Sequence, residues 1–406
     1  MSVATALADV LPSAAISKER VTGPWQRLGI EPEAVVYPGS VGEVSSALRW
    51  AGESGIRIIP IGSGGHLPAL WQKGRFVVLS TARLTGIEIY EPADLTLTAR
   101  SGTRLADIDA ELRSHHQWLP FDPPHLLDRT LGGFIATGQS GPLWMGYGEL
   151  RNHVLGMTLV SGDGRLLELG GRVMKNVAGF DLLKPIIGSH GRLGVITSVS
   201  LRAFPVPAVE RVLVLRADSV SELWKPARSV RMAPVMPVSS VLITPAKQLE
   251  ARAALIVRLH GAEPTVEADQ RTLESYAGVS FDLVMNHGLM ESIQNHAAEG
   301  KTRLIASVLP TRLPEVVSGM GQILDGDIAV DTYAGRAQVS ASDINSEELY
   351  ALRESIEALG GALTVWAAEG AYETLSPSRK SEVVEALGSR LEHVFDPKGV
   401  MWQQRW

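Results

Sequence analysis

The sequence of 406 residues contains no cysteine. This absence excludes disulfide bonds, thiolate catalysis, cysteine-ligated zinc and iron–sulfur clusters held by this chain. An iron–sulfur centre that exchanges electrons with the protein would therefore have to lie on another polypeptide.

Signals for membranes and nucleic acids are missing as well. No apolar run approaches the roughly 20 residues that cross a bilayer, and residues 1–20 lack the cationic start and apolar core of a secretory signal. The formal net charge of −6 gives no broad basic surface for nucleic acid. We therefore expect a cytoplasmic protein that holds any phosphate through local groups, such as backbone N–H groups.

The composition is that of an ordinary globular protein, with 45% hydrophobic and 20% charged residues. The chain is longer than the roughly 250–300 residues at which a single core stops growing, so we expect two domains. The stiff segment Pro205-Val206-Pro207 is the best candidate for the boundary between them.

A predicted strand over 56–61 runs into a glycine-rich loop, GSGGH, at 62–66. Such glycines let several backbone N–H groups converge on an anion without obstruction by side chains. No Gly-Lys-Ser/Thr follows, as it would in a nucleotide P-loop, and the nearby Pro68 does not fit the helix that opens a Rossmann motif. The loop therefore predicts a phosphate site of another type.

Two further segments permit close approach of the backbone to a ligand. Prolines at 123–124 fix an extended segment ahead of the sequence TLGG at 130–133, and glycines recur between residues 188 and 194. A tight structural turn is the alternative explanation for each segment, since glycine punctuation is common in loops.

The segments 173–182, VMKNVAGFDL, and 187–197, IGSHGRLGVIT, closely resemble the flavin-binding signature of the vanillyl-alcohol-oxidase/PCMH family of FAD proteins. Within that family they look most like the E subunits of glycolate oxidases. The resemblance is strong over about the first half of the chain and weak beyond it.

The resemblance implies that the glycine-rich segments hold FAD, with the loop at 62–66 at the pyrophosphate and the segments at 123–133 beside the flavin ring and pyrophosphate. The cofactor-binding residues that it implies are Pro60, Ile61, Gly62, Ser63, Gly64, Gly65, His66, Pro123, Pro124, Thr130, Leu131, Gly132, Gly133, Ala136, Thr137, Gly138, Ser140, Lys175, Asn176, Gly188, Gly191, Gly194, Val195 and Ile196.

His66 raises the question of a covalent bond to the flavin, because some relatives carry such a histidine after an arginine-serine-glycine-glycine run. Here Ile61-Gly62 stands where that pattern has its arginine, and Leu67 replaces the small polar residue that often follows the histidine. We expect noncovalent FAD, with His66 packed or hydrogen-bonded nearby; covalent attachment is the alternative.

The pattern of the second half predicts two similar sets of strands and helices. The first has strands over 211–216, 238–243 and 254–259 and helices over 221–230 and 264–276; the second has strands over 304–309, 328–333, 337–341 and 362–366 and helices over 314–324 and 346–359. Such sets favour a ferredoxin-like antiparallel sheet with helices on one face.

Together with the resemblance, this pattern predicts an α+β protein: a PCMH-type FAD-binding domain of two α+β subdomains over 1–205 and a ferredoxin-like α+β cap domain over 206–390. Residues 394–400, VFDPKGV, resemble the end of the family, which implies that a tail over 391–406 returns toward the FAD domain. The family's usual asparagine-proline-glycine-arginine continuation is absent, and two terminal tryptophans are expected to plug a groove, more readily on this chain than on a partner.

A hydroxy-acid oxidase needs a cation for the substrate carboxylate and a base for the hydroxyl proton. Relatives that oxidise D-lactate or D-2-hydroxyglutarate, and the companion D subunit of glycolate oxidases, use a histidine-x-histidine metal cluster. Here the histidines of the second half, His260, His287, His296 and His393, are scattered. No metal site is predicted, and no catalytic residue can be assigned from the sequence.

The resemblance implies an FAD-bearing redox subunit of a glycolate oxidase-like complex. Its partners would be a D subunit with FAD and an F subunit with iron–sulfur clusters, its substrate glycolate or another small 2-hydroxy acid, and its membrane association at most peripheral. The alternatives are a flavin-binding subunit with a structural role and a stand-alone oxidoreductase. Because the metal cluster and an internal iron–sulfur outlet are both missing, we expect little glycolate turnover by the chain on its own.

Overall fold

A computed structural model arranges the chain in four β-sheets with helices packed on them. The residues that it describes are 2–17, 23, 25, 31–65, 74–171, 181–284, 287–342, 344–367 and 382–402. The predictions for His66, Lys175 and Asn176 lie outside these residues.

The first sheet has three parallel strands in the order β1-β3-β2. Its strands and the two helices beside it are β1 (Ala34–Val36), β2 (Arg57–Ile61), β3 (Phe76–Ser80), α1 (Val3–Leu7) and α2 (Val41–Ser54). Ser40 Oγ accepts a hydrogen bond from Glu43 N at 3.2 Å, and Gly55 ends α2 at φ +63°. Ser40 therefore caps the start of this helix, and Gly55 ends it.

The second sheet has five antiparallel strands in the order β4-β5-β9-β7-β8. The elements of this part are β4 (Ile87–Glu91), β5 (Thr96–Arg100), α3 (Leu105–Ser114), β6 (Gln117–Trp118), α4 (Leu131–Thr137), α5 (Trp144–Tyr147), β7 (Val154–Val160), β8 (Leu166–Gly170), α6 (Leu183–Ile186), β9 (Val195–Arg202) and β10 (Phe204–Pro205). Strands β6 and β10 form a separate pair. Helix α4 packs Phe134 and Ile135 into the core beneath β5 and β9.

The third large sheet has eight strands in the order β14-β11-β13-β12-β16-β17-β15-β18. Its strands are β11 (Val209–Ala217), β12 (Ser239–Thr244), β13 (Ala253–Gly261), β14 (Asp282–Val284), β15 (Thr302–Ser307), β16 (Gly326–Asp331), β17 (Arg336–Ala341) and β18 (Ala362–Ala367). The helices of this half are α7 (Val220–Met232), α8 (Glu263–Ala277), α9 (His287–Gln294), α10 (Leu313–Ile323), α11 (Ser346–Ala358) and α12 (Glu382–Phe395).

The order of these strands contains two βαββαβ units, which meet where β12 pairs with β16. The predicted ferredoxin-like architecture is confirmed. The pattern of the first unit did not reveal its fourth strand, β14, because three residues are too short to show a period-two alternation.

Alternate residues of each strand face opposite sides of this sheet. On β17, Ala337 and Val339 pack with helices α7, α8, α10 and α11 in the largest apolar core, and Leu304 and Ala306 do the same from β15. The residues that alternate with these four along β17 and β15 therefore face the other side of the sheet, which is turned toward the first domain.

The end of the chain packs beside β2. Ile58 N donates to Val400 O at 2.8 Å, and Trp402 N donates to Ile58 O at 3.0 Å. The buried carboxylate of Asp396 accepts hydrogen bonds from Val400 N at 2.8 Å and Met401 N at 2.7 Å. This carboxylate fixes the turn after α12, and the residues that follow the turn lie beside β2.

The limits of the domains remain a proposal. It is supported by the strand pairing, since none of the described strands up to Pro205 pairs with a described strand from Val209 onward. The contacts of residues 396–402 with β2 support a returning tail in the same way.

Replacement of Asp396 by Ala should lower the free energy of unfolding by roughly 1–3 kcal/mol, because two buried N–H groups lose their acceptor. Chemical denaturation monitored by circular dichroism measures the change. Asp218→Ala is the matched control, since Asp218 is exposed. Equal effects of the two substitutions would contradict the role given to Asp396.

Candidate functional site

The glycine-rich segments predicted from the sequence converge on one cleft in the first domain, which we call the glycine cleft. It contains about 980 Å³ of empty space, part of it open to solvent. The predicted residues that line it are Pro60, Ile61, Gly62, Ser63, Gly64, Gly65, Gly132, Gly133, Ala136, Thr137, Gly191, Gly194, Val195 and Ile196.

The backbone of this cleft requires glycine at several positions. A Cβ at Gly62 would lie 1.9 Å from Thr130 Oγ1, and one at Gly191, where φ is +79°, would lie 2.7 Å from Pro60 Cγ. At Gly65, in contrast, a Cβ would meet no atom within 4 Å. The surface at Gly65 is therefore open toward the cleft rather than packed against the protein.

The structure adds residues to the cleft that were not among the predicted cofactor-binding residues. They are Ile59, Thr81, Arg129, His190, Arg192 and Trp402. His190 and Arg192 belong to the segment that carries the family resemblance, and Arg129 directly precedes the TLGG sequence. Trp402 reaches the cleft through the tail, and its buried side chain confirms that this tryptophan packs within the chain.

Arg129 is a buried cation at one end of the glycine cleft. Its Nε donates to Pro124 O at 3.0 Å, and one terminal nitrogen donates to Gln139 Oε1 at 2.7 Å. Burial lowers the pKa of Arg129 to about 9, with a smaller contribution from Arg303, so the guanidinium is still charged at neutral pH. A buried guanidinium is well suited to an anionic ligand.

His190 and Arg192 also line the cleft. Burial, followed by the charge of Arg192, lowers the pKa of His190 to about 4, so its imidazole is neutral at pH 7. Arg192 forms a 2.8 Å ion pair with Glu392 of α12. The His190 ring also lies 6.3 Å, centroid to centroid, from Trp366 of the eight-stranded sheet.

A second cavity adjoins the glycine cleft and shares Thr137 with it. This sheet cavity lies between residues 122–144 and the free face of the eight-stranded sheet, with about 1330 Å³ of space, part of it open to solvent. The predicted residues that line it are Pro123, Pro124, Thr137, Gly138 and Ser140.

The remaining predicted residues that the structure describes support these walls without lining either cavity. Thr130 Oγ1 accepts from Gly133 N at 3.3 Å at the start of α4, and Leu131 is fully buried in the core. Gly188 packs against Gly138, where a Cβ would lie 3.0 Å from Gly188 Cα.

The floor of the sheet cavity changes from apolar to charged across the strands. In one row of paired residues, Ile256 and Val241 are followed by Asp331, Arg336 and Ser307. All five line the cavity. This combination arises only when β12, β13, β15, β16 and β17 are assembled, and no local sequence signal points to it.

Asp331 and Arg336 are direct neighbours on β16 and β17. The Asp331 carboxylate accepts hydrogen bonds from Trp144 Nε1 at 2.7 Å, Ala334 N at 2.8 Å and Tyr333 N at 3.0 Å. Burial nevertheless raises its pKa. The charge of Arg336 opposes this shift, and its exposed guanidinium lines the cavity, where it can reach an anion.

A buried ion-pair network joins the two domains at the edge of the sheet cavity. Arg258 bonds Asp122 at 2.8 Å and Glu210 at 2.7 Å, and Asp122 also accepts from Leu143 N at 2.7 Å. Burial raises the pKa of Asp122 to about 6, against the opposing effects of Arg258 and Leu143 N. Burial also raises the pKa of Glu210, but hydrogen bonds from His260 and Arg258 outweigh it and bring the value to about 2.

Among the described residues, no group of three or more His, Asp or Glu side chains is arranged to hold a metal ion. In the same part of the chain, no helix has the length and apolarity needed to cross a membrane.

The comparisons with known proteins agree with the geometry of the cleft. Residues 32–170 match the family model described as "FAD binding domain". This part of the chain is an FAD-binding domain. The open surface at Gly65 and the buried charge of Arg129 fit a cofactor that carries a pyrophosphate.

Several relatives of this FAD-binding domain oxidise hydroxy acids, according to their names. The chain is 39% identical to the glycolate oxidase subunit GlcE of Escherichia coli (strain K12) over 48% of its length and 53% of the relative. It is 27% identical to the glycolate oxidase subunit GlcD of Bacillus subtilis (strain 168), over 60% of this chain and 55% of that one. It is 36% identical to a D-lactate dehydrogenase of Archaeoglobus fulgidus, over 42% of this chain and 38% of that one. The chain therefore spans about half the length of the first two relatives and less of the third.

The whole fold also occurs in a solved structure. An alkyldihydroxyacetonephosphate synthase superposes with a TM-score of 0.75 over 97% of this chain and 83% of its own, at 16% sequence identity. This likeness confirms the α+β architecture of both halves, and at such identity it concerns the fold alone.

Gly65→Val should abolish or strongly weaken FAD binding while the fold stays intact, because Gly65 lines the cleft and an added Cβ meets no described atom within 4 Å. The measurement is the flavin-to-protein absorbance ratio after reconstitution with FAD. Gly74→Val is the matched control, since a Cβ at this exposed glycine also meets no atom within 4 Å and Gly74 does not line the cleft. Full flavin occupancy in the Gly65 variant would remove this loop from the cofactor site.

Asp122 should make stability depend on pH between its ordinary pKa of 3.8 and its raised value of about 6. In this range the folded chain holds a proton that the unfolded chain has released, so the stabilisation is complete below the lower value and is lost as the pH rises through the upper one. The loss is on the order of 3 kcal/mol. Because His190, with its lowered pKa, changes the stability in the opposite direction over the same range, the measurement is the difference in free energy of unfolding between the wild type and Asp122→Asn, from urea unfolding at about pH 4 and pH 7. This difference should fall by about 3 kcal/mol toward pH 7, and Asp218→Asn is the control for the loss of an exposed aspartate. An equal pH dependence of the wild type and Asp122→Asn would contradict the role of Asp122.

Proposed function

We propose that the chain is the FAD-bearing subunit of a glycolate oxidase-like complex that oxidises glycolate or a related 2-hydroxy acid to the 2-oxo acid. The observation that carries the proposal is the pair of adjoining cavities. The glycine cleft belongs to an FAD-binding domain, and the sheet cavity beside it presents an arginine with available donors. The names of the relatives supply the class of substrate.

In this proposal the residues of the glycine cleft hold the pyrophosphate, with backbone N–H groups of the loop at 62–65 and the Arg129 guanidinium as donors. Pro124 and Gln139, which accept hydrogen bonds from Arg129 and line the sheet cavity, would then lie beside the flavin ring. FAD, when bound, supplies the acceptor for the two electrons that leave the α-carbon of the hydroxy acid.

Arg336 is the residue that we assign to the substrate carboxylate. Guanidinium groups bind carboxylates through two parallel hydrogen bonds, which fix the orientation of the acid as well as its position. Arg258, the other arginine of the sheet cavity, is already bonded to Asp122 and Glu210. Arg336 thus meets the need for a cation that relatives are expected to meet with a metal cluster.

The proposal extends to partners and location. Because the chain has no cysteine, electrons from the reduced cofactor would have to pass to another polypeptide or to oxygen. Partners of the D type, with FAD, and of the F type, with iron–sulfur clusters, fit this requirement. A cytoplasmic complex with at most peripheral contact with the inner face of the membrane follows from the same resemblance.

The test is anaerobic reduction of the FAD-loaded chain, free of partners, by 2-hydroxy acids in stopped flow. We expect bleaching of the flavin band in a single turnover but little steady-state oxidation of glycolate. Arg336→Gln should weaken the apparent affinity for the acid by about tenfold to a hundredfold, since a charge-assisted hydrogen bond contributes about 1.5–3 kcal/mol.

Arg271→Gln is the control, because Arg271 is an exposed arginine on α8, on the helix-covered side of the sheet. Failure of every 2-hydroxy acid to bleach the flavin, alone and with partners added, would favour the structural subunit. Steady-state turnover of glycolate by the isolated chain would favour the stand-alone oxidoreductase.

A further inference from the structure

We infer that the 2-hydroxy acid bound in the sheet cavity carries an apolar side chain of several carbon atoms, which lies on Val241, Ile256 and Ile293. The inference rests on the proposed function, and it narrows the substrate class within it. Glycolate, with only hydrogen in place of a side chain, would then be a poor ligand of this chain.

The register of the eight-stranded sheet fixes the geometry. Arg336 lies on β17, Asp331 on β16, Val241 on β12 and Ile256 on β13, each directly opposite the next. Neighbouring strands are about 4.8 Å apart, so the backbone of Val241 lies roughly 10 Å from that of Arg336 and that of Ile256 roughly 14 Å. A carboxylate held by Arg336 therefore has an apolar surface within reach of a short carbon chain.

Segments outside the strands complete this surface. Ile293 of α9 is buried in the same apolar cluster as Val241 and Ile256, and Met290 and Ala329 pack against that cluster. All five of these side chains line the sheet cavity. Beyond Arg336, on β15 and β18, the lining is mixed, with Ser307 and Thr364 beside Ile305 and Trp366. The cavity therefore has an apolar end and a mixed end, with the guanidinium between them.

The physical consequence is a preference for longer acids. A bound two-carbon acid would leave the apolar end in contact with water, whereas each additional buried CH₂ group contributes about 0.8 kcal/mol, or about a fourfold gain in affinity. The cavity lining sets a limit, because Val214, the next residue of the row beyond Ile256, does not line the cavity. Affinity is expected to rise with each added carbon and then level off.

The experiment measures binding rather than turnover, with 2-oxo acids as unreactive probes of the oxidised, FAD-loaded chain. Glyoxylate, pyruvate, 2-oxobutanoate, 2-oxopentanoate and 2-oxohexanoate are titrated in a calorimeter. We expect Kd to fall about fourfold per CH₂ group from pyruvate to 2-oxopentanoate. Kd values that are independent of chain length, or lowest for glyoxylate, would overturn the inference.

Two isosteric or near-isosteric variants locate the effect. Val241→Thr and Ile256→Thr place a hydroxyl in the apolar end and should reduce the preference for 2-oxopentanoate over pyruvate. Ile305→Thr is the matched control, because Ile305 lines the same cavity on β15, beyond Arg336. An equal loss of preference in the control would contradict the assignment to Val241 and Ile256.

The outcomes also separate this inference from the proposed function. Binding that depends on Arg336 but not on chain length would overturn the inference and leave the function standing. If none of the five acids binds, and Arg336→Gln does not change the apparent affinity for the 2-hydroxy acid, both the inference and the proposed function are overturned. The wild-type series decides the question even if one of the variants fails to fold.

Discussion

The buried contact of Arg258 with Asp122 and Glu210 holds together the two halves on which the site depends. Asp122 belongs to the first domain, whereas Arg258 and Glu210 lie on neighbouring strands of the eight-stranded sheet. When one partner of a buried ion pair is removed, the charge that stays buried destabilises the fold by about 3–5 kcal/mol. The pair therefore favours one placement of the sheet over the loop at 122–124, and the sheet cavity takes its shape from that placement.

The alternation of side chains in the eight-stranded sheet gives the two faces different tasks. One face is covered by four helices and supplies the largest core, with residues such as Leu304 and Val339. Because that face already stabilises the domain, the opposite face can carry Arg336, Gln338 and Asp331, which are poor core residues. A charged floor for a ligand cavity is thus compatible with a stable sheet.

Glycine has two different roles in the cleft, and the distinction matters for its chemistry. Gly62 and Gly191 are required by packing, since a Cβ would meet Thr130 or Pro60. Gly65 has open space above it, so its missing side chain leaves room for a ligand. The two roles look identical in the sequence, because both produce a glycine in a loop.

The sequence by itself indicated the FAD-binding domain through its resemblance to a known family, and the alternation of apolar residues predicted nearly every strand of the second half. Together they predicted the α+β class. The tertiary structure alone decided the position of Arg336, the cation that we propose for the substrate carboxylate. Arg336, Val241 and Ile256 are separated by long stretches of chain and become neighbours only through strand pairing. Arg129 lies next to the predicted TLGG segment, whereas Trp402 reaches the cleft through long-range packing. Such contacts leave no local period in the sequence, since their spacing is set by the order of the strands and not by the chain.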